Sequence, residues 1–477
     1  MLSVHINHII SFIVITVQIS GIMAALNAIM KARTAQGAIA WAVSLILLPY
    51  ISLPLYLVFG GRKFTSYVRL RNIVKDKINP LYSKFKRDIP SKYILKESEY
   101  RDVKVIERLA KMPFTSKNSV ELLINGEETF QRIFEEIEKA RNYILVQFYI
   151  IRNDRIGNKL KELLIKKSQE GIDTYLIYDA IGSYNLSKEY IEELKKNNVH
   201  TGCFDTAKGF KNRLRLNFRN HRKVVVVDGK TAFVGGHNVG DEYLGKSKKF
   251  GFWRDTHISI SGPAVLQAQL SFVEDWYWIE HKIINLDWSI KESDENKNVL
   301  ILPSGPSDKY ETCSLFFMNA IASSKKRIWI VSPYFVPDSD IIFTLHLAAL
   351  RGVDVRIMLP EKADYLLVYL SSFSYINELA KSNIKFFRYK KGFLHQKVML
   401  VDDDISSIGT ANFDSRSFRI NFEISAIVID KDFAKEVEKM LIDDFENCTE
   451  TAPDEYDKKP LWFKISVSIA RLFSPIE

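Results

Sequence analysis

The run HRKVVVVDGKTAFVGGHN, residues 221–238, is the most informative in the chain. Alternate side chains of an extended strand share a face, so His221 and Lys223 point the same way. Four valines follow and read as a buried strand. Asp228-Gly229 then marks a tight hairpin turn. The return strand TAFVGG brings Asn238 back toward the histidine and lysine. One hairpin therefore presents an imidazole, an ammonium and an amide together.

The constellation occurs twice. Residues 395–412 read HQKVMLVDDDISSIGTAN. Lys223, Asp228, Gly235 and Asn238 follow His221 at the same offsets at which Lys397, Asp402, Gly409 and Asn412 follow His395. A lone HxK is a weak signal, whereas this duplicated match is a strong one. The surroundings repeat as well. A helical ETFQRIFEEIEKA precedes the strand-like NYILVQFYII, then KLKELLIKKSQEG precedes IDTYLIYD. In the second copy SLFFMNAIASSKK precedes RIWIVSPYFV, then IIFTLHLAALRG precedes VDVRIMLP. Strands alternating with helices predict an α/β fold of βαβ units in a largely parallel sheet.

Two such hairpins facing each other make one phosphate-sized pocket. Lysine and asparagine donors hold non-bridging oxygens and stabilise developing negative charge. One imidazole can attack phosphorus, passing the exchange through a phosphohistidine. The other can protonate the departing alkoxide and then deprotonate the incoming hydroxyl. The paired lysines supply the charge, so no metal or cofactor is expected. Asp228 and Asp402 complete the catalytic motif, though their strand-end positions suit turn and hydrogen-bonding roles. Asn238 and Asn412 are expected to bind phosphate. Each imidazole also needs an acceptor on its other nitrogen. Asp255 in FWRDTHISISG and Glu423 in INFEISAIVID each open a strand after a hairpin and are the candidates. The other seven of the nine histidines, including His237 and His257, have no duplicated counterpart and read as structural.

The N-terminal region is of another kind. No charged residue precedes Lys31, and Ile9 to Met30 is almost wholly apolar. A second uncharged run contains AIAWAVSLILLPYISLPLYLVFG. Each is long enough to span a bilayer, which predicts a transmembrane helical hairpin over residues 1–62 with spans at about 9–30 and 38–60. Pro49 and Pro54 mark a kink in the second span or a segment that dips in and returns. Arg62, Lys63, Arg69, Arg71, Lys75 and Lys77 open a basic juxtamembrane linker, 63–115, and outnumber Lys31 and Arg33. The positive-inside rule then favours a cytoplasmic catalytic region with both termini inside. The two repeats occupy 116–290 and 291–477, the latter ending in an amphipathic tail, LWFKISVSIARLF. The net charge of +10 suits an anionic partner. Cys203, Cys313 and Cys448 form no framework and read as reduced thiols.

The doubled motif resembles the phospholipase D superfamily, whose members carry two HxKx4D motifs on paired α/β/α domains. The flanking strings RNHRK, WRDTH, SPYFVP, GVDVRIMLP, FLHQK, GTANFDSRSF, NFE and RLFSP, with the hydrophobic hairpin, resemble bacterial cardiolipin synthases over nearly the whole chain. The resemblance implies two phospholipase D-like domains at the bacterial inner membrane. It also implies phosphatidyl transfer between two phosphatidylglycerol molecules, with His221 as nucleophile and His395 as acid and base. Hydrolysis, or transfer to another acceptor such as the headgroup of phosphatidylethanolamine, would use the same pocket. A nucleic-acid phosphodiesterase fits the charge but not the membrane hairpin, and two intact motifs argue against an inert scaffold.

Overall fold

The computed structural model describes residues 2–31, 35–60, 89–95, 103–205, 218–247, 249–362 and 364–474. The basic cluster from Arg62 to Lys77, Arg33 and most of the basic run 208–223 lie outside them. Two compact units are distinguished, the apolar N-terminal helices and the repeat region.

In the first unit Leu2–Lys31 is one helix, and its portion from His8 is long and apolar enough to cross a bilayer. The second run differs from the expected span. Helix Ala35–Leu47 stops at Leu48 (φ −130°, ψ 54°), and a separate helix occupies Pro49–Phe59. Proline offers no amide hydrogen and disfavours helical backbone in the residue before it. The two pieces, of 13 and 11 residues, are each under about 20 Å long, short of a ~30 Å hydrocarbon core.

The second piece also turns back. A Cβ on Gly21 would meet the Leu45 carbonyl at 2.5 Å and Pro49 Cβ at 2.9 Å, so the break lies beside Gly21. Tyr56 then donates to Asn27 Oδ1 at 3.0 Å and packs edge-on against Trp41 at 5.2 Å. Asn27 lies C-terminal to Gly21, whereas a straight continuation would carry Tyr56 toward the N-terminus of the long helix. In place of one continuous helix over 38–60, the second run is a pair of short helices that folds back, the returning form that Pro49 and Pro54 left open.

In the second unit the two repeats share one continuous sheet. Its centre is Thr115–Ile124 antiparallel to Lys297–Ser304. Outward on one side run Thr256–Ser261, Thr231–Gly235, Val224–Val227, Tyr143–Phe148, Asp173–Asp179 and His200–Phe204. Outward on the other run Asn421–Ile429, Ile405–Gly409, Val398–Val401, Arg327–Val331, Asp354–Pro360 and Lys385–Tyr389, followed by one extra edge strand, Cys448–Glu450. The matching order of the first six strands on each side is the structural form of the duplication. Along this order, parallel pairing is confined to the strands Tyr143–Phe148, Asp173–Asp179 and His200–Phe204 in one half and Arg327–Val331, Asp354–Pro360 and Lys385–Tyr389 in the other. The inner ones are antiparallel, because the HxK hairpin closes directly, Val227 facing Thr231 and Val401 facing Ile405. The expectation of a largely parallel sheet is corrected accordingly.

Val224, Val225, Val226 and Val227 are all buried, as are Val398 to Val401, so both motif strands are held from both faces. Burying such a side chain contributes about 1.5–3 kcal/mol. One core cluster contains Val226, Val299, Leu400 and Ile424, drawn from both repeats. The tail helix Leu461–Arg471 packs on helix Leu366–Ala380, with Phe463 against Phe373 at 5.0 Å.

Candidate active site

The histidines are positioned by two short backbone bridges between the repeats. Arg219–Asn220 pairs in parallel with Asn421 and Phe422, and Trp253–Arg254 pairs in parallel with Phe393–Leu394. The His221 amide donates to the Phe422 carbonyl at 2.9 Å, and the His395 amide donates to the Arg254 carbonyl at 2.8 Å. The next residue after each acceptor is a carboxylate, Glu423 or Asp255. Each imidazole is thereby served from the opposite repeat. His221 Nδ1 lies 2.9 Å from Glu423 Oε2, and His395 Nδ1 lies 2.6 Å from Asp255 Oδ2. Neither repeat holds a complete histidine–carboxylate pair. In each pair Nδ1 is engaged, which leaves Nε2 for chemistry.

Lys223 and Lys397 fold back over their histidines. Lys223 Nζ donates to the His221 carbonyl at 2.8 Å. Lys397 Nζ lies 2.8 Å from His395 Nδ1 and also donates to the His395 carbonyl. Register places Asn238 and Asn412 level with the histidines, since Val224 faces Val234 and the Gly409 amide donates to the Lys397 carbonyl. Asn238 Oδ1 accepts from the Ile150 amide at 3.2 Å, and the buried Asn412 Oδ1 has no hydrogen-bond partner among the described residues.

Asp228 and Asp402, grouped above with the catalytic residues, stand at the far ends of the motif strands. At about 3.3 Å per residue that is on the order of 15 Å from the lysines. Both adopt left-handed backbone, φ 54° and 50°. Asp228 accepts from the amides of Arg141, Asn142 and Tyr143, and Asp402 from those of Lys325, Lys326 and Arg327. Each carboxylate ties the hairpin turn to the start of the neighbouring strand.

The pocket is buried and densely charged. Burial pushes His221 down to about 4 against the pull of Glu423. Burial, then Lys397, pushes His395 down to about 3 against Asp255. Burial brings Lys223 to about 7 and Lys397 to about 8, with nearby carboxylates resisting. Burial alone would raise Glu423, but His221, Lys223 and Thr410 hold it below its ordinary range. Lys397, His237 and His395 do the same for Asp255. These shifts favour neutral imidazoles beside ionised carboxylates.

Several supporting residues escaped sequence reasoning. Thr410 donates to Glu423 Oε2 at 2.6 Å, and Ser417 and Asn421 donate to Oε1 at 2.9 and 3.1 Å. The corresponding place beside Asp255 is kept open by Gly236, where a Cβ would lie 2.0 Å from Asp255 Oδ1. Between histidine and lysine, Arg222 pairs with buried Asp275 at 2.9 Å, and Gln396 donates to Asp444 at 2.7 Å. Asp444 is also gripped through two oxygens by Arg254. The strings RNHRK, WRDTH, FLHQK, GTANFDSRSF and NFE held Arg222, Arg254, Gln396, Thr410, Ser417 and Asn421, but their charge partners are remote in sequence.

Duplicated α/β repeats that share one two-histidine, two-lysine pocket define the phospholipase D-like class. Comparison with known proteins is specific. The family described as "Cardiolipin synthase, PLD-like domain" matches residues 133–259 and 317–445, and "Phospholipase_D-nuclease N-terminal" matches 21–61. Cardiolipin synthase A of Pseudomonas putida (strain GB-1) is 47% identical over 464 residues, 96% of this chain and 97% of that one. Cardiolipin synthase A of Pseudomonas fluorescens (strain SBW25) is 44% identical over 472 residues, 98% of each. Among solved structures, a phosphatidylserine synthase of Haemophilus influenzae Rd KW20 shares the fold, with TM-score 0.60 and 15% identity, covering 79% of this chain and 100% of that one. The chain belongs to the cardiolipin synthase family of phospholipase D-type phosphatidyltransferases.

Proposed function

We propose that the protein converts two phosphatidylglycerol molecules to cardiolipin and glycerol. The crossed pocket, with two neutral imidazoles flanking two lysines, carries this reading. His221 Nε2 forms a bond to the phosphorus of the first lipid while the bond to the glycerol headgroup breaks. His395, protonated as the anionic substrate enters, gives its proton to the departing oxygen. The hydroxyl of a second phosphatidylglycerol then attacks, His395 takes its proton, and the phosphorus–nitrogen bond breaks. Lys223, Lys397, Asn238 and Asn412 hold the non-bridging oxygens, while Glu423 and Asp255 steady the developing imidazolium charge. Purified protein given phosphatidylglycerol should yield cardiolipin and free glycerol in equal amounts. Phosphatidic acid as the sole lipid product would show hydrolysis instead.

The lysines make the reaction sensitive to alkali. Their charged form must meet the phosphate, and in the free enzyme it is lost as pH rises through about 7 to 8. Since kcat/KM reports the free enzyme, kcat/KM for phosphatidylglycerol should fall across that range. A profile flat from about pH 6 to 10 would contradict the lysine role.

The returning segment also bears on the membrane side. If residues 35–59 do not cross, Lys31, Arg33 and the cluster from Arg62 onward fall on one side, opposite the start of the long helix, where residues 1–30 hold no lysine or arginine. The positive-inside rule then favours a cytoplasmic catalytic region with the start of the long helix outside. In intact cells, a cysteine introduced before residue 5 should react with an impermeant thiol reagent. Protection there, with labelling only after permeabilisation, would restore the two-span hairpin.

A further inference from the structure

Joining two phosphatidylglycerols brings together two phosphodiesters. One reacts between the histidines and is served by Lys223 and Lys397. The other belongs to the acceptor and sits one glycerol length from the attacking hydroxyl. It is an anion that must approach a site already occupied by one, so a second set of cations is needed beside the first.

Two arginines meet that requirement. Arg219 lies two residues before His221 in extended backbone, and the alternation that aligns His221 with Lys223 puts Arg219 on the same face. Its strand partner is Asn421. Just before Asn421 comes the short helix Ser415–Arg419, which carries Arg416. The parallel bridge that carries Glu423 to His221 thus also brings Arg416 toward Arg219. Both guanidiniums are partly buried and act electrostatically on Tyr149. The Tyr149 ring lies edge-on to His221 at 4.9 Å and 5.6 Å from Lys223 Nζ. Burial, then Arg219, holds Arg416 below the ordinary guanidinium range, while Asp414 and Glu423 pull the other way. Like charge on the two half-buried side chains favours an anion seated between them. Guanidinium forks match a phosphodiester's paired oxygens better than an ammonium does.

We propose that Arg219 and Arg416, one from each repeat, clamp the non-reacting phosphodiester of the acceptor phosphatidylglycerol and select an anionic lipid over a neutral alcohol or water. This rests on the cardiolipin reading above. No bond changes at this second phosphate; its capture sets the glycerol hydroxyl against the phosphohistidine.

The test compares two acceptors for one intermediate. With phosphatidylglycerol and labelled glycerol, the enzyme forms cardiolipin by lipid attack and labelled phosphatidylglycerol by glycerol attack. In Arg219→Gln and Arg416→Gln the ratio of cardiolipin to exchanged label should fall by about tenfold or more, the scale of one lost charged hydrogen bond. An unchanged ratio overturns the proposal, whether both products decline together or neither does. Where a glutamine variant makes neither product, the lysine variant at that position is read the same way. Wild-type protein that exchanges glycerol but never forms cardiolipin would instead defeat the reading of function.

Discussion

Replacing either His221 or His395 with alanine should lower turnover of phosphatidylglycerol at least ~100-fold, the scale of losing a positioned acid, base or nucleophile. The fold should survive both changes. Without His221, Glu423 keeps its bonds from Thr410, Ser417 and Asn421. Without His395, Asp255 keeps the Thr256 amide at 2.8 Å. The two variants should nevertheless differ. A phosphatidyl ester of nitrophenol needs no proton on its leaving group, so His395→Ala should still release a burst of nitrophenol while His221→Ala should not. A burst in both variants would remove the nucleophilic role from His221. Near-normal phosphatidylglycerol turnover in either would sink the two-histidine mechanism.

The crossed carboxylates give the second large effect. Glu423→Gln and Asp255→Asn preserve volume but remove the acceptor that fixes the tautomer and the charge that stabilises imidazolium. In another enzyme's histidine–carboxylate pair the equivalent change costs about 10⁴-fold. A loss of about 10²–10⁴-fold is expected here. Because Glu423 serves His221, Glu423→Gln should fail with the activated nitrophenyl ester as His221→Ala does. Asp255→Asn should retain the burst, as His395→Ala does. The reverse pattern would mean that each carboxylate serves the histidine of its own repeat, contrary to the 2.9 and 2.6 Å contacts.

What could be read beforehand depended on range. Strand alternation is local, so the alignment of His221 with Lys223, and of His395 with Lys397, was visible in the spacing. The same holds for the valine strand and for the turns at Asp228 and Asp402. Asp255 and Glu423 stood out as carboxylates opening strands. Their exchange between repeats was hidden, because it is made by pairings of two residues each, 219–220 with 421–422 and 253–254 with 393–394. Such short bridges leave no periodic pattern. Arg254 and Asp444, 190 positions apart, are likewise invisible to spacing. In the second apolar run, Pro49 and Pro54 leave both a kinked span and a returning segment open. Pro49 announced a break, but only the contacts of Tyr56 with Asn27 and Trp41 fix the direction after it. The sheet was expected to be mostly parallel because the βα units dominate each repeat's opening. The motif hairpin, with its direct turn, reverses the strands that matter most for the site.

The covalent path can be observed directly. Wild-type protein mixed with phosphatidylglycerol labelled at phosphorus, then quenched rapidly in alkaline detergent, should carry the label on the peptide containing His221, in a bond stable to base and cleaved by acid. Adding excess unlabelled phosphatidylglycerol before the quench should discharge that label into cardiolipin. Label on the His395 peptide would reverse the two roles, and cardiolipin made at full rate with no labelled protein at any time would contradict the phosphohistidine route.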